Sequence, residues 1–71
     1  MQKIHVDKAG QFIADYKQGK YSFHLRLGQA FVNEFYPTVE SGRGEETQEL
    51  FYEPNQLKAM SLIWRDFVYY E

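Results

Sequence analysis

The stretch LKAMSLIWRDF, residues 57–67, holds the chain's one tryptophan and its clearest periodic pattern. Leu57, Met60, Ile63, Trp64 and Phe67 recur at steps of three and four, which places them on one face of a helix. Val68 widens that face, and Lys58, Ser61, Arg65 and Asp66 lie off it. The spacing predicts a helix over about residues 54–69 that is the core of the fold. Earlier segments must then supply a facing surface.

Working outward, Pro54 suits the first turn of this helix, with Glu53 or Asn55 as its cap. Leu50, Phe51 and Tyr52 form a short apolar anchor ahead of it. Residues 38–48, TVESGRGEETQ, have glycines, small polar residues and like charges, which predicts an acidic loop, mobile and dispensable for folding over Ser41–Thr47 or else the working surface, its charge biasing which partner approaches. Before the loop, Phe23, Leu27, Phe31 and Phe35 make an i, i+4 row, which predicts a second helix over about residues 22–36 with Ser22 as cap. Pro37 stops it, because the residue before proline is pushed out of helical space. Gly28 lies mid-helix, where glycine costs stability, and this predicts that another helix crosses there at close range. Ala9, Phe12, Ile13 and Tyr16 predict a first helix over about residues 7–17, capped by Asp7 and closed by Gly19. Ile4 and Val6 alternate with polar neighbours, so residues 1–6 begin extended. The expected fold is all-α: one domain, residues 1–71, forming a small three-helix bundle. Its third helix packs between the others, with the flexible acidic loop between helices 2 and 3.

A chain of 71 residues has no room for a second core. It buries only about 60% of its unfolded surface, so aromatic rings must supply much of its stability. Six Phe, six Tyr and one Trp are available for that. There is no cysteine, so neither a disulfide nor a thiolate metal site is expected. No apolar run approaches the roughly 18 residues that span a bilayer, and MQKIHVDKAG has no apolar signal core, so a cytoplasmic location with no membrane contact is expected. Residues 1–39 carry five Lys/Arg against three Asp/Glu, and residues 40–71 carry three against seven. A net charge of −2 is not the basic balance that nucleic-acid binding requires.

Two segments, RLGQAFVNEF (residues 26–35) and LFYE (residues 50–53), precede Leu62-Ile63-Trp64. That combination resembles small uncharacterised proteins of bacteria and their phages. The similarity covers roughly residues 22–67 and implies a compact helical domain of phage or prophage type. It carries no chemistry that can be transferred residue by residue.

His5 and His24 come without CxxC, HExxH or any paired ligand spacing, and His24 reads as a helix residue rather than a metal ligand. Ser22, Ser41 and Ser61 lack a nucleophile elbow, and no strand or Lys-Ser/Thr frames the SGRG glycines. No catalytic residue, metal or cofactor is therefore expected. Arg26, Gln29 and Asn33 share a helical face distinct from the aromatic row. That face either holds the Leu50 to Glu53 segment, for example through an Arg26–Glu53 pair, or docks a partner; the structural role is favoured. Tyr52, Tyr69 and Tyr70, with Tyr36, suit an interface because each ring buries area while its hydroxyl stays wet. Closure of the core against the first helix is the competing account of the C-terminal tyrosines. The expected function is a non-enzymatic protein-interaction module, of phage or prophage accessory type, binding a protein partner or forming a weak homodimer. The alternative is a small nucleic-acid-binding helical domain using Lys17, Lys20 and Arg26.

Overall fold

The computed structural model describes residues 2–21 and 24–71. Strand β1 (Ile4–His5) runs straight into helix α1 (Val6–Lys17). The helix starts there because the extended His5 turns its Nδ1 onto the Asp7 N–H at 3.1 Å, satisfying one orphan donor of the first turn. Asp7, expected as the cap, instead places its carboxylate in that first turn, where the helix dipole favours it. At the other end Gly19 adopts φ 83°, and the N–H groups of Gly19 and Lys20 donate to the carbonyls of Tyr16 and Asp15, both at 3.1 Å. Those two bonds are a Schellman closure, which needs a left-handed residue at the Gly19 position.

Helix α2 (Leu27–Phe35) begins later than its apolar row suggests. Ser22 and Phe23, the expected cap and the first residue of that row, lie outside the described residues. Arg26 occupies the N-cap position, and its N–H donates to the Gln29 Oε1 at 2.9 Å. His24, expected on this helix, lies in the turn before it and is exposed. Pro37 ends α2 as expected: Tyr36 leaves helical space at φ −134°, ψ 57°.

The segment expected to be a loop, residues 38–48, carries two elements. A 3-10 turn (Val39–Ser41) is tied to Thr38 by reciprocal bonds: the Ser41 N–H donates to Thr38 Oγ1 and the Thr38 N–H to Ser41 Oγ. Gly42 then reverses the chain at φ 106°. Helix α3 (Glu45–Phe51) follows, and Thr47 seals its start. The Thr47 hydroxyl accepts from the Gly44 N–H and donates to the Gly44 carbonyl, each at 2.7 Å. Thr47 is completely buried, so the expected loop gives way to helix from Glu45 onward.

The expected long C-terminal helix is three shorter pieces. Helix α4 (Gln56–Leu62) starts after Pro54, not on it; the Asn55 Oδ1 accepts the Lys58 N–H at 3.1 Å as its cap. A π-helical turn (Ile63–Phe67) follows, and strand β2 (Val68–Tyr69) pairs in parallel with β1, Ile4 opposite Val68 and His5 opposite Tyr69. The described chain is thus mostly helical, as expected, but with four α-helices and one short strand pair.

Ala59, Leu62, Ile63, Phe67 and Val68 are buried, whereas Leu57 is 76% exposed and Met60 and Trp64 are half-buried. Each helical residue advances about 100°, so Leu57 sits roughly 160° from Ala59. The helix turns its small side, centred on Ala59, to α2. Trp64 is not the centre of the core; Phe31 is. Its ring meets Phe12 at 5.3 Å and Phe67 at 5.7 Å edge to face, and Phe35 and Tyr36 at 4.9 and 6.1 Å. Rings crossed in this way gain about 0.5–1.5 kcal/mol per pair beyond the area they bury.

Candidate interaction site

Helix α3 is seated by a close backbone approach at Gly28. A Cβ built on Gly28 would lie 2.0 Å from the Leu50 carbonyl oxygen and 2.9 Å from its carbon. Glycine at 28 therefore lets α2 and α3 touch backbone to backbone, and Leu50 and Thr47 bury into that junction. The crossing helix expected at Gly28 exists, but it is built from the segment taken to be a loop.

With Thr47 and Leu50 facing inward, the period of the helix turns Glu45, Gln48 and Tyr52 outward. They line an open groove of about 420 Å³ together with Arg43, Gly44 and Phe51. Phe51 is half-buried and forms the floor. The Tyr52 ring meets it edge to face at 5.1 Å and is itself 62% exposed. The Arg43 guanidinium lies over the Phe51 ring, 5.3 Å from its centroid. Glu45, Glu46 and Glu49 stand exposed along the same helix. Among the described residues no ion pair includes Glu45 or Glu46, while Glu53 is drawn 3.6 Å from Lys58. The groove presents two rings, one cation already in place and an acidic margin.

The residues selected from sequence do not converge on one place. Arg26 and Asn33 are exposed on α2, and Gln29 is spent on the Arg26 backbone. Glu53 bonds the Asn55 N–H at 3.1 Å and pairs with Lys58, so the suggested Arg26–Glu53 pair is replaced by local contacts. Tyr36, grouped with the interface tyrosines, is fully buried and donates its hydroxyl to the Gln2 carbonyl. Burial pushes that hydroxyl up to about 12. Tyr69 packs edge-on against His5 at 5.3 Å, beside Lys3 and Lys8. Tyr70 stacks on Trp64 at 6.4 Å with its ring plane 22° away, and is 63% exposed. Tyr52 alone of the selected residues belongs to the α3 groove. Arg43, Glu45, Gln48 and Phe51 escaped the sequence reading, although EETQELF is rich in helix formers and its Thr47–Leu50 spacing marks an inward face.

Among the described residues no three acidic or histidine side chains come together to hold a metal, and no helix is long and apolar enough to cross a membrane. The chain matches no protein-family model, no curated protein and no solved structure.

Proposed function

We propose that this protein acts without catalysis of its own, by docking another protein in the α3 groove. One observation carries the reading: the Tyr52 ring stands mostly in solvent on a helix that backbone contact at Gly28 holds in place. An exposed aromatic on a rigid support is what an interface anchor requires, since it buries much area and loses little entropy on binding. A phage or prophage setting is supported by the sequence resemblance alone. The test is retention of a partner from host lysate by the full chain and by its Tyr52→Ala variant. Loss of the retained protein with an unchanged unfolding midpoint is the expected result. Equal retention by both would place the contact elsewhere, and parallel Arg26→Ala and Asn33→Ala variants would show whether the α2 face carries it.

Self-association through Tyr69 and Tyr70 is the second reading, favoured by their exposure of 45% and 63%. Both rings already have neighbours within the chain, His5 and Trp64. A homodimer built on them is therefore weak, and light scattering of Tyr70→Ala against the parent reports it. The nucleic-acid alternative is weakened by Lys20, whose ammonium pairs with Asp15 at 3.2 Å.

A further inference from the structure

Within the docking reading above, on which this step rests, we infer that the α3 groove takes the cationic side chains of a basic segment of its partner. Three observations point there. First, the Phe51 ring already carries a guanidinium, that of Arg43, at 5.3 Å. The chain itself thus shows one ring of this groove, Phe51, taking a planar cation on its face. Second, the neighbouring Tyr52 ring is 62% exposed, and no described cation lies over it. Aromatic faces attract ammonium and guanidinium groups through their quadrupole, and the attraction grows as water is displaced. Third, the Glu45 carboxylate lines the same groove and Glu46 follows it, neither paired within the described chain. A carboxylate and a ring at the two ends of one groove can hold different cationic side chains of one segment, the first by charge-assisted bonds and the second by its face.

The charges around the groove set the sign. Arg43 keeps its charge over Phe51 and opposes an incoming cation there, which leaves the exposed Tyr52 face as the one open to it. Arg65 is paired with Asp66, whose hydrogen bond raises its pKa, and Lys58 is bound to Glu53, so these cations are answered on the spot. What remains in the groove is Glu45, unpaired among the described residues, with Glu46 exposed next to it on α3 and Tyr52 at the far end of the helix. An acidic or nucleic-acid partner would meet like charge there, which disfavours it.

The experiment uses the full, isotopically labelled chain and three capped peptides, each with one leucine flanked on both sides by two arginines, two glutamines or two glutamates. Amide shifts at Gly44, Gln48 and Tyr52 are followed in each titration. The arginine peptide is expected to shift these amides, with affinity falling about fivefold or more between roughly 0.05 and 0.5 M salt. Glu45→Gln should weaken it about threefold, as should Tyr52→Leu, which keeps apolar area and removes the ring face. Both sites are exposed, so the variants keep their fold, and unchanged spectra away from α3 verify it. If the glutamine peptide binds the same amides as tightly, the cation preference is overturned while the groove stands as a docking site. If the glutamate peptide or a single-stranded oligonucleotide binds better, Arg43 is the recognition group and the inference fails. If none of the three peptides moves the α3 amides, the docking reading fails as well.

Discussion

Two glycines in helices behave in opposite ways, and the difference lies in what surrounds each. A Cβ at Gly10 would meet nothing within 4 Å. Gly10→Ala should therefore raise stability by about 0.5–1 kcal/mol, the helix propensity that glycine gives up. Gly28 is the second residue of α2, where less propensity is to be gained, and the new methyl would strike the Leu50 carbonyl. Backbone cannot rotate aside as a flexible side chain can, so overpacking wins and Gly28→Ala should cost about 3 kcal/mol. Urea unfolding of the two variants checks both signs; a stabilised Gly28→Ala would disprove the close crossing. Tyr36 offers a second residue-scale test, in pH. Its hydroxyl is held protonated up to about 12 by burial, against an ordinary value of 10. The unfolded chain therefore releases this proton first as pH rises. The stabilisation is complete below about pH 10 and is lost on the way to about pH 12, amounting to about 2–3 kcal/mol. Tyr21, raised mainly by burial and then by Glu34, adds in the same direction. The alkaline slope should flatten in Tyr36→Phe, and a slope identical to the parent's would show that Tyr36 ionises freely in the fold.

Helix α3 stands or falls with its own cap, because seven residues cannot hold a helix by propensity. Thr47→Val keeps the buried shape and removes the hydroxyl that serves both Gly44 backbone groups. A loss of about 1–2 kcal/mol is expected. In hydrogen exchange the parent's Gln48 and Tyr52 amides should be protected, since they donate to the Gly44 and Gln48 carbonyls; exchange at free-peptide rates would return the segment to a loop. The same element shows what the sequence does and does not reveal. Gly28 announced a close crossing because a glycine inside the apolar pattern has few other uses, although α2 starts late enough to put it in the first turn. Its partner stayed hidden, because SGRG and the glutamates outweighed the helix-forming character of EETQELF. In α4 and the π-helical turn the eye goes to Leu57 and Trp64, large and apolar, while the buried line runs through Ala59, Leu62 and Ile63. Closest approach between helices selects small side chains, and periodicity weighted by size misses them. The groove inherits this blind spot: Tyr52 was noticed for its ring, but its companions Arg43 and Glu45 acquire meaning only once α3 exists.

Taken as one body, the described chain has a Cα radius of gyration of 11.0 Å, which is about the value for a close-packed domain of its length. Every described side-chain polar atom that is buried has a hydrogen-bond partner, which fits a unique packing. The pairing of β1 with β2 carries this to the scale of time. Ile4 and Val68 stand 64 positions apart, 68 minus 4, so their contact closes nearly the whole chain into a ring. Closing so long a loop has an entropic cost that must be met before the contact repays it. The seam should therefore form after the aromatic cluster around Phe31 has condensed, and be absent from the folding transition state. Val68, 4% exposed, offers the probe. Val68→Ala should lower stability by about 1–2 kcal/mol, and nearly all of that should appear as faster unfolding with the refolding rate almost unchanged. Phe31→Leu, in contrast, should slow refolding. A Val68→Ala chevron that shifts on its folding arm would reverse this order of events. If the order holds, the lifetime of the folded molecule is set at the seam joining its two strands, far along the sequence from the rings that supply most of its cohesion.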